Sequence, residues 1–170
     1  CGCSAECDPY SVAQSMEQAI YSFSSASLDG EALGFGDWLV ARNGNVLVGA
    51  SAWAGDGTEV VIMGEELLDV EGWTCDSGTI NTCGMMMAGQ TPQFSVYDAS
   101  TDLESIANYT AADGTELQNI PAYYGLDFHV ALTLDLATDC NGDLGGAGSP
   151  DDCDVCYGGS SDHIANSDID

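Results

Sequence analysis

The sequence predicts an all-β fold: an antiparallel β-sandwich followed by a disulfide-rich, acidic, largely irregular C-terminal extension. Three observations carry this. Apolar runs are short and punctuated by Asp-Gly and Asn-Gly pairs, the pattern of strands joined by tight turns. Phe128, Val130, Leu132, Leu134 and Leu136 alternate with Asp127, His129, Ala131, Thr133 and Asp135, the period of two of a half-buried strand. Beyond Ala137 the apolar residues thin out while Gly, Asp and Cys accumulate. The expected organisation is a cysteine-rich segment over 1–9, a sandwich domain over 10–136, an acidic cysteine repeat over 137–159 and an acidic tail over 160–170.

Taken in order, residues 10–23 admit two readings. Val12, Met16, Ala19, Ile20 and Phe23 fit one helical face. The β-friendly Ile20, Tyr21 and Phe23, the Ser-rich run to Leu28 and the turn pair Asp29-Gly30 favour a strand, and a strand is predicted. Trp38-Leu39-Val40-Ala41 and Val46-Leu47-Val48-Gly49-Ala50 flank Asn43-Gly44, a strong short-range hairpin signal because both residues tolerate positive φ. Glu59 to Met63 and Phe94 to Asp98 supply further strands, and Met85-Met86-Met87 reads as strand and core filling. His129 falls on the polar face of the alternating strand.

The composition excludes several functions. The chain has 170 residues, 28 acidic side chains and one base, Arg42, for a net charge of -27. One arginine cannot neutralise a run of phosphates or dock an anionic membrane, so nucleic-acid and membrane-surface partners are not expected. No lysine is present for phosphate-binding loops or Schiff-base chemistry. No apolar run approaches the ~20 residues of a membrane span. No G-x-S-x-G elbow appears, and carboxylate pairs are too common here to single out a catalytic one. An enzyme is not expected.

Eight cysteines in so acidic a chain point to disulfides in an oxidising, extracellular place. Cys75 and Cys83 flank a short loop and are expected to pair locally. Cys1, Cys3 and Cys7 precede the body, and Cys140, Cys153 and Cys156 follow it. These are free to pair locally, across the body or between copies. The opening on Cys1 without a methionine is read as a mature, processed product. Asn108-Tyr109-Thr110 is an N-glycosylation sequon, so Asn108 is the expected glycan position.

The most specific stretch is Asp139-Cys140-Asn141-Gly142-Asp143, followed by Asp151-Asp152-Cys153-Asp154-Val155-Cys156. Alternate oxygen side chains in a tight Gly-containing loop suit a hard cation with six to eight oxygen ligands at ~2.3–2.6 Å. It is not an EF-hand, since Leu144 and Pro150 stand where that loop needs its glycine and bidentate Glu. The stretch resembles the thrombospondin type 3 calcium repeat, its head matching at Asp139, Asn141 and Asp143 and its end at Asp151, Cys153, Asp154 and Cys156. Leu144 in place of glycine and a longer middle are departures. The resemblance implies bound Ca2+, with Asp139, Asn141, Asp143, Asp151 and Asp154 as ligands and a backbone carbonyl near Gly145. His163, in the acidic tail, is a remote further ligand. The body, at Gly36-Asp37-Trp38-Leu39-Val40-Ala41 and Met87-Ala88-Gly89-Gln90-Thr91-Pro92-Gln93-Phe94-Ser95-Val96-Tyr97-Asp98, resembles a β-sandwich module of large secreted surface proteins. That likeness implies display or adhesion, without catalysis.

The expected function is therefore a non-enzymatic, secreted structural protein, the repeating subunit of a calcium- and disulfide-stabilised extracellular filament or surface appendage. Its partners are copies of itself, head to tail. The alternative is a carbohydrate-binding or adhesive module of a larger secreted protein, with glycans stacking on Trp38, Trp53, Trp73, Tyr123 and Tyr124.

Overall fold

A computed structural model describes residues 10–66 and 81–168. Among the described residues the regular structure is entirely β. In order the strands are β1 (Gln18–Leu28), β2 (Glu31–Ala32), β3 (Trp38–Asn43), β4 (Val46–Ala52), β5 (Thr58–Met63), β6 (Gln93–Asp98), β7 (Leu103–Ile106), β8 (Phe128–Leu136), β9 (Ser149–Pro150) and β10 (Cys156–Tyr157). No helix of the described residues is long and apolar enough to cross a membrane.

Among the described residues these strands form two four-stranded sheets and one small hairpin. The long β1 organises the first sheet. On one side it pairs antiparallel with β5, from Gln18↔Met63 to Phe23↔Thr58, and then with β2 at Leu28↔Glu31. On its other side β8 runs parallel to it, from Ile20↔Phe128 to Leu28↔Leu136. The second sheet has the order β4-β3-β6-β7 and is antiparallel throughout. β9 and β10 pair as a short antiparallel hairpin. The pairing is antiparallel as expected for an antiparallel sandwich, except at β8, which runs parallel to β1. A parallel neighbour cannot follow through a tight turn, and residues 29–127 separate β1 from β8 in the chain.

The core lies where the sheets meet. Tyr21 and Phe23 of β1 lie with ring centroids 5.7 and 4.9 Å from Phe94 of β6. Leu39, Val48, Val60, Ile62, Val96, Leu134 and Leu136 complete it, all essentially inaccessible. Each such side chain contributes ~1.5–3 kcal/mol on leaving water. One glycine makes the close approach possible. A Cβ on Gly49 of β4 would lie 2.7 Å from both the Val61 carbonyl oxygen and Ile62 Cδ1, so β4 could not approach β5 as it does with any larger residue there.

Residues 10–17 are not strand, although the predicted strand there exists from Gln18 onward. It absorbs the Ser-rich run and ends at the expected turn, where Asp29 (φ 49°) and Gly30 (φ 80°) both adopt positive φ. The β3–β4 hairpin forms one residue later than expected, because Asn43 pairs with Val46 and the turn is Gly44-Asn45. The Asn43 side chain instead donates to the Gly84 and Met85 carbonyls at 3.0 and 3.2 Å. In β8 the predicted alternation fails in its first half. Ala131 has φ 57° and the register jumps from Tyr21↔His129 to Phe23↔Leu132, the mark of a bulge. The phase inverts there. Phe128 and Val130 are 56% and 60% exposed, whereas Leu134 and Leu136 are buried. His129, expected on the polar face, turns inward and sets its ring 4.6 Å from that of Tyr21.

Candidate functional site

Asp139 and Asp151, the heads of the two expected ligand runs, each build a loop of the same construction. Oδ1 of Asp139 accepts the backbone N–H of Asn141 (2.9 Å) and Asp143 (3.0 Å). Oδ1 of Asp151 accepts those of Cys153 (2.9 Å) and Val155 (3.0 Å). The aspartate N–H donates to the carbonyl four residues on, Asp143 or Val155, and its own carbonyl accepts from Gly142 or Asp154. Gly142 (φ 89°) and Asp154 (φ 60°) occupy the same left-handed position in the two loops. A short carboxylate folding back on its own backbone is the physical basis of such turns.

The second oxygens tie the loops to their surroundings. Oδ2 of Asp139 accepts the Gly148 N–H at 2.6 Å. The space around that oxygen is kept open by glycines. A Cβ on Gly146, Gly148 or Gly159 would lie 2.3, 2.7 or 3.0 Å from it. Oδ2 of Asp151 accepts the Asn166 N–H at 2.9 Å and contacts His163 Nε2 at 3.0 Å. His163 Nδ1 lies 3.5 Å from Ser167 Oγ, the outer limit of a hydrogen bond. The C-terminal residues 161–168 are thereby clasped to the second loop. The Asn166 amide, then His163 and the other loop amides, hold the Asp151 carboxyl well below the usual carboxylate range. For Asp139, partial burial pushes the other way, but the amides of Asp143, Gly148 and Asn141 outweigh it and the carboxyl is also lowered.

The remaining expected ligands are placed as follows. Asn141 Nδ2 donates to the Gly158 carbonyl at 3.0 Å. Asp143 Oδ2 accepts from Ser160 Oγ. The Gly145 carbonyl accepts from Asn108 twice, from N at 3.1 Å and from Nδ2 at 2.6 Å. That Nδ2 is the atom a glycan would occupy. Asp154 is exposed. The carboxylates thus converge on backbone amides, and among the described residues no group of three or more His, Cys, Asp or Glu side chains is gathered as metal ligands. The donors are the hard oxygens calcium prefers, but Asp139 and Asp151 are already engaged with amides.

Cys140 and Cys156 form a disulfide, Cα–Cα 5.6 Å, that joins the first loop to the end of the second. Cys153 is an exposed free thiol. Cys83 is disulfide-bonded, while Cys75, Cys1, Cys3, Cys7 and Trp73 lie outside the described residues. Residues 137–159, expected to bury almost nothing, send Leu144 against the core and hydrogen-bond to the body. The Ala112 N–H donates to the Ala147 carbonyl at 2.7 Å. Asp29 accepts from both the N–H and the hydroxyl of Thr138, at 2.5 and 2.6 Å.

Of the aromatics expected to form a sugar platform, Tyr123 is buried, Trp53 is half-buried against the core and Tyr124 is exposed. Tyr10 sets its ring at 54° to that of Trp38 and at 74° to that of Tyr97, so the three are not coplanar. Beside them Arg42 forms a two-pronged pair with Glu104, which also accepts from Ser95 and Tyr10. Burial raises the Glu104 pKa, but these donors outweigh it and leave it lowered. Sequence reasoning missed this network. Its members come from the segment before β1 and from β3, β6 and β7, and only strand pairing brings them together.

No protein-family model, curated protein or solved structure matches the chain.

Proposed function

We propose that this is a non-enzymatic, secreted structural protein, the repeating subunit of a calcium- and disulfide-stabilised extracellular filament or surface appendage. Its body would be a β-sandwich and residues 137–170 its acidic extension. The observation that carries the reading is the edge strand β8. Its inner side pairs with β1, and among the described residues no strand pairs with its other side. Leu126, Phe128 and Val130 stand 88%, 56% and 60% exposed along that edge. Exposed apolar side chains on an open edge are a template for joining another chain, and a soluble monomer ordinarily blunts such an edge with charge. In a chain of net charge -27, with Asp127 and Asp135 along the same segment, these three positions remain apolar. Contact between two such anionic copies requires counterions, which is the role proposed for Ca2+ at the acidic loops of residues 139–154. The exposed Cys153 thiol is the proposed covalent link between copies.

The test is assembly. In calcium the purified protein should give filaments by electron microscopy and fast-sedimenting species. Joint replacement Phe128→Asp and Val130→Asp should abolish both with the fold retained, and Cys153→Ser should remove covalent multimers from non-reducing gels. A monomer at high concentration in calcium would sink the proposal. A glycan-array signal from such a monomer would favour the carbohydrate-binding alternative.

A further inference from the structure

We propose that the hollow between the start of β1, the end of β5 and residues 123–125 is a binding site for an alkylammonium ligand, a protonated amine on an apolar stem. The hollow holds about 500 Å³ and is lined by Glu17, Glu65, Met86, Met87, Tyr123 and Gly125. At its floor Tyr123 is 2% exposed, and its hydroxyl, wholly buried, has no hydrogen-bond partner. A buried hydroxyl without a partner is costly and calls for an occupant that supplies one. Its direction is fixed by its neighbours. A Cβ on Gly64 would lie 2.1 Å from the hydroxyl oxygen and 3.0 Å from Glu17 Cβ, so the hydroxyl ends between Gly64 and Glu17. The Glu17 carboxylate leans over the hollow, 2.6 Å from where a Cβ on Gly125 would stand.

The walls are preformed. Tyr123 N–H donates to the Gln90 carbonyl (2.7 Å), and Gly89 N–H donates to the Tyr123 carbonyl (2.8 Å). Met86 is stitched to the end of β5 by N–H donation to Met63 and by acceptance from Glu65. Glu65 Oε2 accepts the Gly84 N–H at 2.8 Å, which sets that carboxylate at the rim.

The chemistry of the lining selects the ligand. Two carboxylates attract a cation. The chain has no lysine, its one arginine is paired with Glu104 on the other sheet and neither histidine lines the hollow, so the cation is one brought by a ligand. The Met86 and Met87 thioethers and the Tyr123 ring suit methylenes, and a ring face also attracts an ammonium. A bare divalent ion is less suited, because no group of three acidic, His or Cys ligands exists here among the described residues. The head would pair with Glu17 and donate to the Tyr123 hydroxyl oxygen, and the stem would lie on the methionines.

The experiment is calorimetric titration of the calcium-free monomer at physiological salt, so that a failure of assembly leaves it untouched. The probes are Nα-acetyl-lysine methylamide, spermidine and the uncharged Nα-acetyl-norleucine methylamide. Saturable one-site binding of the amines, at least about tenfold tighter than that of the norleucine derivative, is expected from a charge-assisted contact. Glu17→Gln should weaken it about tenfold, and Tyr123→Phe severalfold. Asp56→Asn, on the exposed β4–β5 turn, should leave it unchanged. Amine-induced NMR shifts should centre on the Met87 methyl and the Gly125 amide. A lysine peptide binding better than spermidine assigns the site to a protein partner, and the reverse assigns it to a free polyamine; either supports the ammonium class. Absence of binding, equal binding of Nα-acetyl-norleucine methylamide, or equal loss in Asp56→Asn and Glu17→Gln would overturn it, the last by showing diffuse counterion attraction.

Discussion

Asp151 contributes through direction rather than charge alone. Its carboxylate is an acceptor for the amides of Cys153, Val155 and Asn166 and for the His163 ring, so one side chain sets a loop and ties down the tail. Asp151→Ala should therefore raise amide exchange at Val155 and Asn166 together, by roughly tenfold or more, while the exchange of β1 amides is unchanged. The sign of its pH dependence follows from its lowered pKa. The stabilisation is complete above the ordinary value of 3.8 and is lost as pH falls through the lower folded value. Much of this loop was legible in the sequence, since Asp-x-Asn-Gly-Asp announces a tight turn of oxygen side chains. What the oxygens face was not. The same spacing serves a cation and a set of backbone amides, and it is the hydrogen bonds from the loop N–H groups to Asp139 and Asp151, with Gly142 and Asp154 left-handed, that show what these two oxygens face here.

Strands carry their own strain and their own tolerances. Ala131 sits at φ 57° in the β8 bulge, a conformation that costs an L-residue roughly 1–2 kcal/mol and glycine nothing. Ala131→Gly should be neutral to stabilising by about 1 kcal/mol in a denaturant melt, and Ala131→Val clearly destabilising. Gly49 has the opposite requirement. A methyl there would meet the Val61 carbonyl and Ile62 at 2.7 Å, so Gly49→Ala should cost about 1–3 kcal/mol by forcing β4 away from β5. These two positions also explain which elements the sequence disclosed. The β3–β4 hairpin is local and was misplaced by a single residue. The second half of β8 was right because Leu134 and Leu136 follow the alternation. The first half was wrong because an alanine, not a glycine, holds the bulge, and nothing in the local pattern marks it. The parallel β1–β8 pairing joins segments distant in the chain, beyond the reach of any short-range signal.

At the scale of the whole molecule, 28 carboxylates face one arginine. Self-repulsion of that size destabilises the compact state, and ions relieve it. Melting temperature should rise with sodium chloride, and calcium should exceed sodium chloride at matched ionic strength. A melting temperature unchanged by EGTA would remove calcium from the account. Acid acts in two opposed ways. Lowering the pH from neutrality discharges unpaired carboxylates and relieves repulsion. Below the ordinary range, protonation of Asp29, Asp98, Asp113, Asp139 and Asp151, all held low by hydrogen bonds, removes their contribution. Stability measured by thermal melts should therefore peak at roughly pH 4–5 and fall below it. The lone cation has a further consequence for digestion. A protease that cuts only after Lys or Arg finds one bond in this chain, Arg42–Asn43, in the middle of a sheet and with its guanidinium held by Glu104. The folded protein should resist trypsin, and when β3 opens it should break once, into two fragments whose ratio to intact chain reads that opening directly.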